Sequence, residues 1–128
     1  MKISVVIPTY NRAEIVSRAI KSVQEQSNKL KIEIILIDDF SEDDTLIKIK
    51  KYEPTKNVMI NVLNNEKNMG TGYSRDKGIA FSKGQYVAFL DADDTWLKDN
   101  LEIKHNYLEA NKDIDWVYSD MYHADNEL

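Results

Sequence analysis

The feature that most constrains the fold is an apolar run at residues 32–37, whose last four side chains are all isoleucine or leucine. A nearly continuous run of this kind, broken only by Glu33, puts apolar side chains on both faces of a strand, so both faces must be covered. Strands of this type are typical of parallel sheets enclosed by helices. The run ends directly in Asp38 and Asp39, so the predicted strand carries carboxylates at its carboxyl end.

Predicted strands and helices alternate along the chain. The runs that predict strands lie at residues 3–7, 32–37, 58–63, 86–90 and 116–119. Helical periodicity and helix-start residues predict helices at about residues 12–27, 41–52, 73–83 and 99–111. This alternation predicts the α/β class, a three-layer arrangement in which a mostly parallel sheet has helices on both faces.

Single residues refine this prediction. Asn61 interrupts the third strand, which indicates a position near an edge of the sheet. Asn11 is expected to cap the first helix, because Glu14 follows it at the spacing of a capping box. Trp96 and Trp116 are expected in the core rather than as stacking platforms.

Composition and charge exclude several classes of protein. The chain has 128 residues, of which 42% are hydrophobic and 30% charged, as in an ordinary globular domain. It has no cysteine, which excludes disulfides and thiolate chemistry, and its net charge of −5 argues against nucleic acid as a partner. No apolar run approaches the ~18 residues of a membrane span, and the N-terminal run is too short for a signal peptide. We expect a cytoplasmic location, at the inner face of the membrane if other regions or partners hold it there.

Three carboxylates, Asp91, Asp93 and Asp94, follow the predicted strand at residues 86–90. Like charges this close repel one another unless a cation neutralises them. One residue separates Asp91 from Asp93, so both can face the same ion, and oxygen ligands suit Mg²⁺ or Mn²⁺. Mg²⁺ usually takes only one or two protein carboxylates and completes its shell with water and phosphate oxygens. The sequence therefore predicts a metal–phosphate site; the alternative is a turn or a helix cap.

Polar residues after three of the strands are expected to converge. Thr9 and Tyr10 follow the first strand, Asp39 the second, and Asp91 and Asp93 the fourth. Parallel α/β sheets bind ligands outside the carboxyl ends of their strands, where the strand order reverses. If the first strand lies between the second and the fourth, these groups span roughly 10 Å, because neighbouring strands are ~4.8 Å apart. That span suits a nucleoside diphosphate.

Four blocks of the sequence resemble the family 2 glycosyltransferases of GT-A fold. They are SVVIPTYN at residues 4–11, IDDFS at 37–41, NMG with SRDKG at 68–78, and GQYVAFLDADD at 84–94. The blocks stand in the family's order, with fitting spacing, and cover nearly the whole chain. One departure is that Ser74-Arg75-Asp76 stands where Ala-Arg-Asn is common in the family.

The resemblance implies inverting transfer of a sugar from a nucleoside diphosphate donor, usually a UDP-sugar, to a saccharide or lipid-linked acceptor in polysaccharide or cell-envelope biosynthesis. The residues that it assigns to the donor are Pro8, Thr9, Tyr10, Asp39, Arg75, Asp91 and Asp93. Thr9 and Tyr10 would contact the base and ribose, and Asp39 would hydrogen-bond the base. Arg75 would contact the nucleotide, and Asp91 would approach the ribose or the metal. Asp93, the second carboxylate of the DXD motif, would hold Mn²⁺ or Mg²⁺ on the diphosphate with the assistance of Asp94, and the cation would stabilise the charge of the leaving group.

Inversion also needs a general base that deprotonates the acceptor. The family carries this base well downstream of the acidic motif, and Asp115, Asp120 and Asp125 lie too early to match it. We therefore expect the base beyond Leu128, and predict that residues 1–128 form a single nucleotide-sugar-binding domain that ends before the acceptor-binding half. The alternative is a nucleotide-sugar-binding module without catalytic activity.

Three other protein classes share part of the pattern. Residues 91–95 match the DxDxT motif of haloacid-dehalogenase-type phosphatases, but those enzymes carry it on the first strand. An EF-hand loop would use Asp91, Asp93 and Glu102, but Trp96 replaces the required glycine. A receiver domain would need its acidic pair after the first strand rather than the second. Arg75 also has a simpler interpretation, a surface ion pair with Asp76 or Glu66.

Overall fold

A computed structural model describes residues 2–26 and 29–124. Its elements, in chain order, are β1 (Ile3–Thr9), α1 (Val16–Gln24), β2 (Ile32–Asp38), α2 (Thr45–Ile49), β3 (Val58–Asn64), α3 (Gly70–Phe81), β4 (Tyr86–Phe89) and α4 (Asn100–Ala110). Within these residues the four strands form one parallel sheet in the order β3-β2-β1-β4. The α/β prediction is confirmed, as are the edge position of β3 and the place of β1 between β2 and β4.

Alternate side chains of the strands point to two different cores. On one face of the sheet, Val5, Ile7, Ile34 and Leu36 pack against α1, and Ile49 of α2 and Leu101 of α4 join the same cluster. On the other face, Val6, Ile35 and Ile37 form a smaller cluster. Helix α3 covers this face at close range, because a Cβ added at Gly78 would overlap the Val6 side chain. The sheet is therefore the middle layer of three.

A buried polar network fixes where β4 begins. Glu33 of β2 is only 2% exposed, and its Oε1 accepts hydrogen bonds from Ser4 Oγ at 2.6 Å and from the Lys83 backbone N–H at 2.7 Å. Ser4 Oγ in turn accepts the Gly84 N–H at 2.8 Å. The α3–β4 connection is thereby attached to both central strands. This attachment fixes the position of β4 along the sheet, and with it the position of the acidic residues that follow β4.

Gly84 is required at this connection by its close approach to β1. A Cβ at Gly84 would lie 2.5 Å from the backbone nitrogen of Ser4, which cannot move without distorting the sheet. We expect Gly84→Ala to lower the free energy of unfolding by about 1–3 kcal/mol, measured by urea denaturation. The matched control is Gly72→Ala in α3, where a Cβ would meet nothing within 4 Å and should leave stability unchanged or slightly higher. Equal stability of the two variants would contradict this account.

Pro8 explains where the pairing of β1 with β4 ends. Val6 bonds toward β4, since its carbonyl accepts the Leu90 N–H at 3.1 Å. In a parallel sheet alternate residues bond to the same neighbour, so Pro8 is next on that side, and it has no N–H to donate. The last register pair of the two strands is Val6 with Phe89. The chain after β4 is thus free to turn across the end of β1.

The predicted Asn11 cap of the first helix is wrong. Helix α1 begins only at Val16, and its N-cap residue, Ile15, makes no side-chain cap hydrogen bond. Asn11 has a φ of 50°, and its Oδ1 accepts the Glu42 N–H at 2.9 Å. The asparagine side chain therefore connects two loops instead of capping a helix. The predicted end of this helix, at residue 27, lies outside the described residues.

The fifth strand predicted at residues 116–119 is not formed. Trp116 and Tyr118 are 72% and 75% exposed, and their rings stack on each other at 5.6 Å. A segment rich in β-forming residues becomes a strand only where a neighbouring strand pairs with it, and none does so within residues 2–26 and 29–124. The core position predicted for Trp116 is accordingly wrong, whereas Trp96 does pack against the larger core. In the same described part of the chain, no helix is long and apolar enough to cross a membrane.

Candidate functional site

A cavity of about 290 Å³ lies at the carboxyl ends of β1, β2 and β4. The predicted donor residues that line it are Pro8, Thr9, Tyr10, Asp39, Asp91 and Asp93. The strand order accounts for this, because β1 has β2 on one side and β4 on the other, so the three strand ends meet at one edge. The predicted convergence of these side chains is confirmed.

A somewhat larger cavity, of about 330 Å³, lies between α1 and α2. It contains none of the predicted site residues. Its ion pair, Lys48 with Glu14 at 3.1 Å, is exposed to solvent and contributes little. Since ligands of parallel α/β sheets bind at strand ends, the cavity at β1, β2 and β4 is the candidate site.

Thr9 presents an unsatisfied hydroxyl at this cavity. The residue is 2% exposed, and its Oγ1 has no hydrogen-bond partner among the described residues. Its register partner on β2, Asp38, also has one carboxylate oxygen, Oδ1, without a partner there. Buried polar atoms are normally hydrogen-bonded, because leaving them unpaired costs free energy. The end of β1 is therefore a place where a bound molecule or an ordered water gains hydrogen bonds.

Asp39 joins the end of β2 to the start of α3. Its Oδ1 accepts from Asn65 Nδ2 at 2.7 Å and from the Met69 N–H at 2.8 Å, and its Oδ2 accepts the Gly70 N–H at 2.8 Å. Burial raises the pKa of Asp39, but these hydrogen bonds outweigh it and hold the pKa below its usual value. Asp39 is thus ionised and caps α3. The Ser74 side chain also hydrogen-bonds this carboxylate and favours its ionised form.

Two arginines form ion pairs with two of the three acidic residues after β4. Arg75 Nη2 lies 2.7 Å from Asp91 Oδ1, and Arg12 Nη2 lies 3.5 Å from Asp93 Oδ2. The pKa of Asp94 is raised by burial first and then by the charges of Asp93 and Asp91. Negative charge therefore accumulates at this turn even with both arginines in place. The simpler interpretation of Arg75, a pair with Asp76 or Glu66, is wrong.

Three polar residues of the cavity wall were not predicted from the sequence: Arg12, Thr71 and Ser74. Arg12 had a usable signal, because it is a cation in the loop that follows the first strand, close behind Thr9. Thr71 and Ser74 lie in the first two turns of α3, which begins at Gly70, three residues before the predicted start. Placing the helix too late hid the fact that its N-terminal end faces the strand ends.

The donor atoms fit a divalent cation that is shared with a ligand. No group of three His, Cys, Asp or Glu side chains in the described part of the chain is arranged to hold a metal by itself. Asp91 and Asp93 nevertheless supply hard carboxylate oxygens at one wall of the cavity. Mg²⁺ bound to phosphates usually takes only one or two protein carboxylates. These residues therefore suit a cation held jointly with a diphosphate.

Hydrogen bonds between two loops hold the cavity open. The Asn11 N–H donates to Ser41 Oγ at 3.0 Å, and the Glu42 N–H donates back to Asn11 Oδ1 at 2.9 Å. The Arg12 N–H donates to Thr45 Oγ1 at 2.8 Å. The loops after β1 and β2 are thus fixed to each other before any ligand binds, which lowers the entropic cost of binding.

Comparison with known proteins agrees with this geometry. The family model described as glycosyl transferase family 2 matches residues 4–126. An uncharacterized glycosyltransferase of Methanocaldococcus jannaschii is 38% identical over 124 residues, which are 96% of this chain and 42% of that protein. The putative teichuronic acid biosynthesis glycosyltransferase TuaG of Bacillus subtilis is 39% identical over 100 residues, which are 78% of this chain and 39% of TuaG. The chain thus spans less than half the length of either relative.

The fold matches solved structures as well. The crystal structure of residues 1–349 of Staphylococcus aureus TarS in complex with UDP-GlcNAc superposes with a TM-score of 0.79 and 30% sequence identity, covering 88% of this chain and 32% of that TarS chain. This similarity confirms the predicted GT-A fold. Because the family model matches nearly the whole sequence, the chain belongs to glycosyl transferase family 2.

Proposed function

We propose that this chain is the donor-binding domain of an inverting glycosyltransferase that uses a nucleoside diphosphate sugar, with UDP as the nucleotide. The observation that carries the proposal is the convergence of Thr9, Asp39, Asp91 and Asp93 on one cavity at the strand ends. The structure of TarS with UDP-GlcNAc supports a UDP-sugar as the donor. The similarity to TuaG supports a saccharide or lipid-linked acceptor in polysaccharide biosynthesis.

The donor is proposed to lie across the strand ends, with its base toward β2 and its diphosphate toward β4. This direction follows from charge, because the acidic turn after β4 suits a metal-bound diphosphate and the ionised Asp39 at β2 is an acceptor suited to a base N–H. The unpaired Thr9 hydroxyl, on the strand between them, would bond to the ribose or base. Tyr10, 40% exposed, would cover the nucleoside from the rim of the cavity.

Asp93 and Asp91 would hold Mn²⁺ or Mg²⁺, with Asp94 close behind them. When bound, the cation would neutralise the diphosphate as the sugar–oxygen bond breaks. Arg12 and Arg75 now pair with these carboxylates, and both pairs are about half exposed, so they are easily exchanged. Once the carboxylates turn to the cation, the guanidinium groups are free to bind phosphate oxygens. Arg75 already has a buried Nε without a partner among the described residues.

The general base is proposed to lie outside these 128 residues. The relatives named above are more than twice as long as the segment they share with this chain. On this proposal the chain binds the donor better than it turns it over. A glycosyl-transfer assay in which these residues alone show full activity would overturn that part of the proposal.

Calorimetric titration with UDP tests the binding function. We expect UDP to bind in the presence of Mn²⁺ and to bind much more weakly after chelation of the metal with EDTA. A parallel assay of UDP hydrolysis separates this proposal from a phosphatase, which would transfer the terminal phosphoryl group of UDP to Asp91, release UMP, and then hydrolyse the aspartyl phosphate to inorganic phosphate. Absence of binding of any nucleoside diphosphate with Mn²⁺ would refute the proposal.

A further inference from the structure

Phe40 has an unusual backbone conformation beside the site. Its φ is 66°, in the left-handed region, where a side chain with a Cβ is strained and a bulky one especially so. The other non-glycine residues of positive φ in the described ranges are Asn11 and Asp99. Both are of types whose short polar side chains tolerate this conformation. Phe40 is the exception, and it has no such compensation.

Packing of the ring does not compensate for the strain either. Phe40 is 50% exposed and belongs to neither of the two core clusters. The hydrogen bonds of the turn do not involve the Phe40 side chain, since the Ser41 N–H donates to Asp38 Oδ2 at 3.0 Å and the Asp39 N–H donates to the Thr9 carbonyl at 2.8 Å. Glycine would make the same turn without strain. An aromatic ring at this position therefore has a use that the protein without a ligand does not show.

The position of Phe40 indicates that use. It directly follows Asp39, which lines the cavity, on the loop that hydrogen bonds fix to the loop after β1. Phe40 itself does not line the cavity, so its ring lies outside the cavity wall. It stands at the end of β2, which β1 separates from β4 and the acidic turn. The cavity of about 290 Å³ is at the lower limit of ligand sites, which commonly measure about 300–1,000 Å³. A nucleoside diphosphate sugar would extend beyond such a cavity onto its rim.

We propose that the Phe40 ring packs against the nucleobase of the donor, at the end of the site away from the metal. The inference rests on the proposed function, and it adds a contact that determines affinity for the nucleoside. Aromatic rings stack on bases through a flat apolar face, and a ring held by a rigid loop loses little entropy when it does so. The strain at Phe40 is then offset only when the donor is bound.

The test compares Phe40→Gly with the unsubstituted chain, with UDP and inorganic pyrophosphate as separate ligands in the presence of Mn²⁺. Pyrophosphate can use the metal and the arginines but has no base to contact Phe40. We expect Phe40→Gly to weaken UDP about tenfold, to leave pyrophosphate binding unchanged, and to keep or raise the melting temperature. Phe40→Asn, which also tolerates the backbone, should behave like Phe40→Gly, and Phe40→Tyr should bind UDP as the unsubstituted chain does.

Each outcome decides between the two proposals. If the unsubstituted chain and Phe40→Gly bind UDP equally well, this inference is wrong and the proposed function stands. If Phe40→Gly weakens UDP and pyrophosphate alike, the ring supports the loop rather than the base, and the inference is again wrong. If the unsubstituted chain binds no nucleoside diphosphate more tightly than it binds pyrophosphate, the proposed function fails, and this inference fails with it.

Discussion

Replacing Asp93 by asparagine is expected to weaken Mn²⁺-dependent binding of UDP about 100-fold, or about 2.7 kcal/mol. The substitution keeps the size of the side chain and removes the charge that would hold the cation on the diphosphate. Calorimetry with and without Mn²⁺ measures the effect. Removing the metal should reduce UDP binding strongly in the unsubstituted chain and hardly further in Asp93→Asn.

Stability separates this loss from a folding defect. Asp93 has a half-exposed side chain and a single ion pair, with Arg12 at 3.5 Å, so Asp93→Asn should change the free energy of unfolding by no more than about 0.5 kcal/mol. Asp113→Asn is the matched control, since Asp113 is exposed and lies outside the cavity. If Asp93→Asn binds UDP with Mn²⁺ as tightly as this control, Asp93 is not a metal ligand.

Replacing Asp39 by alanine is expected to lower the free energy of unfolding by about 3 kcal/mol. Asp39 is 4% exposed and accepts hydrogen bonds from Asn65 and from two backbone N–H groups at the start of α3. Alanine would leave these buried donors without a partner. Urea denaturation measures the loss. Asp44→Ala is the control, because Asp44 precedes α2 without a side-chain cap hydrogen bond, so its removal should cost about 0.5 kcal/mol or less.

The stability that Asp39 provides should depend on pH. Its pKa in the folded chain lies below the ordinary value of 3.8, so the folded state favours the ionised form. The contribution is therefore fully present above that value and is lost as the pH falls through the lower pKa of the folded state. The stabilities of Asp39→Ala and the unsubstituted chain should converge in that acidic range. A difference that stays constant below pH 3.8 would show that Asp39 acts by shape rather than by charge.

The sequence was sufficient to predict the four strands of the sheet and the convergence of the residues that follow three of them. Period and composition identify the buried strands, and in a parallel sheet the residues that follow the strands must meet at one edge. Thr9, Asp39 and Asp93 therefore converge without any knowledge of the loops. The roles of these residues toward a donor and a metal remain predictions, which the binding experiments test.

What the sequence could not provide were contacts between segments distant along the chain. Asn11 fits a local capping pattern, but a hydrogen bond to the Glu42 backbone satisfies its side chain instead. Arg75 pairs with Asp91, sixteen residues later, rather than with its neighbour Asp76. The segment at residues 116–119 has β-forming side chains but pairs with no strand in the described part of the chain. In each case tertiary structure decides between alternatives that are locally equivalent.

The shared pairing of β1 links folding to ligand affinity. This strand pairs with β2 over seven positions and with β4 over four. A slip of one residue in β1 would turn every side chain of the strand to the opposite layer. Ile7 would then leave the larger core, and the Thr9 hydroxyl would turn away from the cavity. We therefore expect a substitution that loosens β1 to lower stability and, on the proposed function, to weaken nucleotide binding as well.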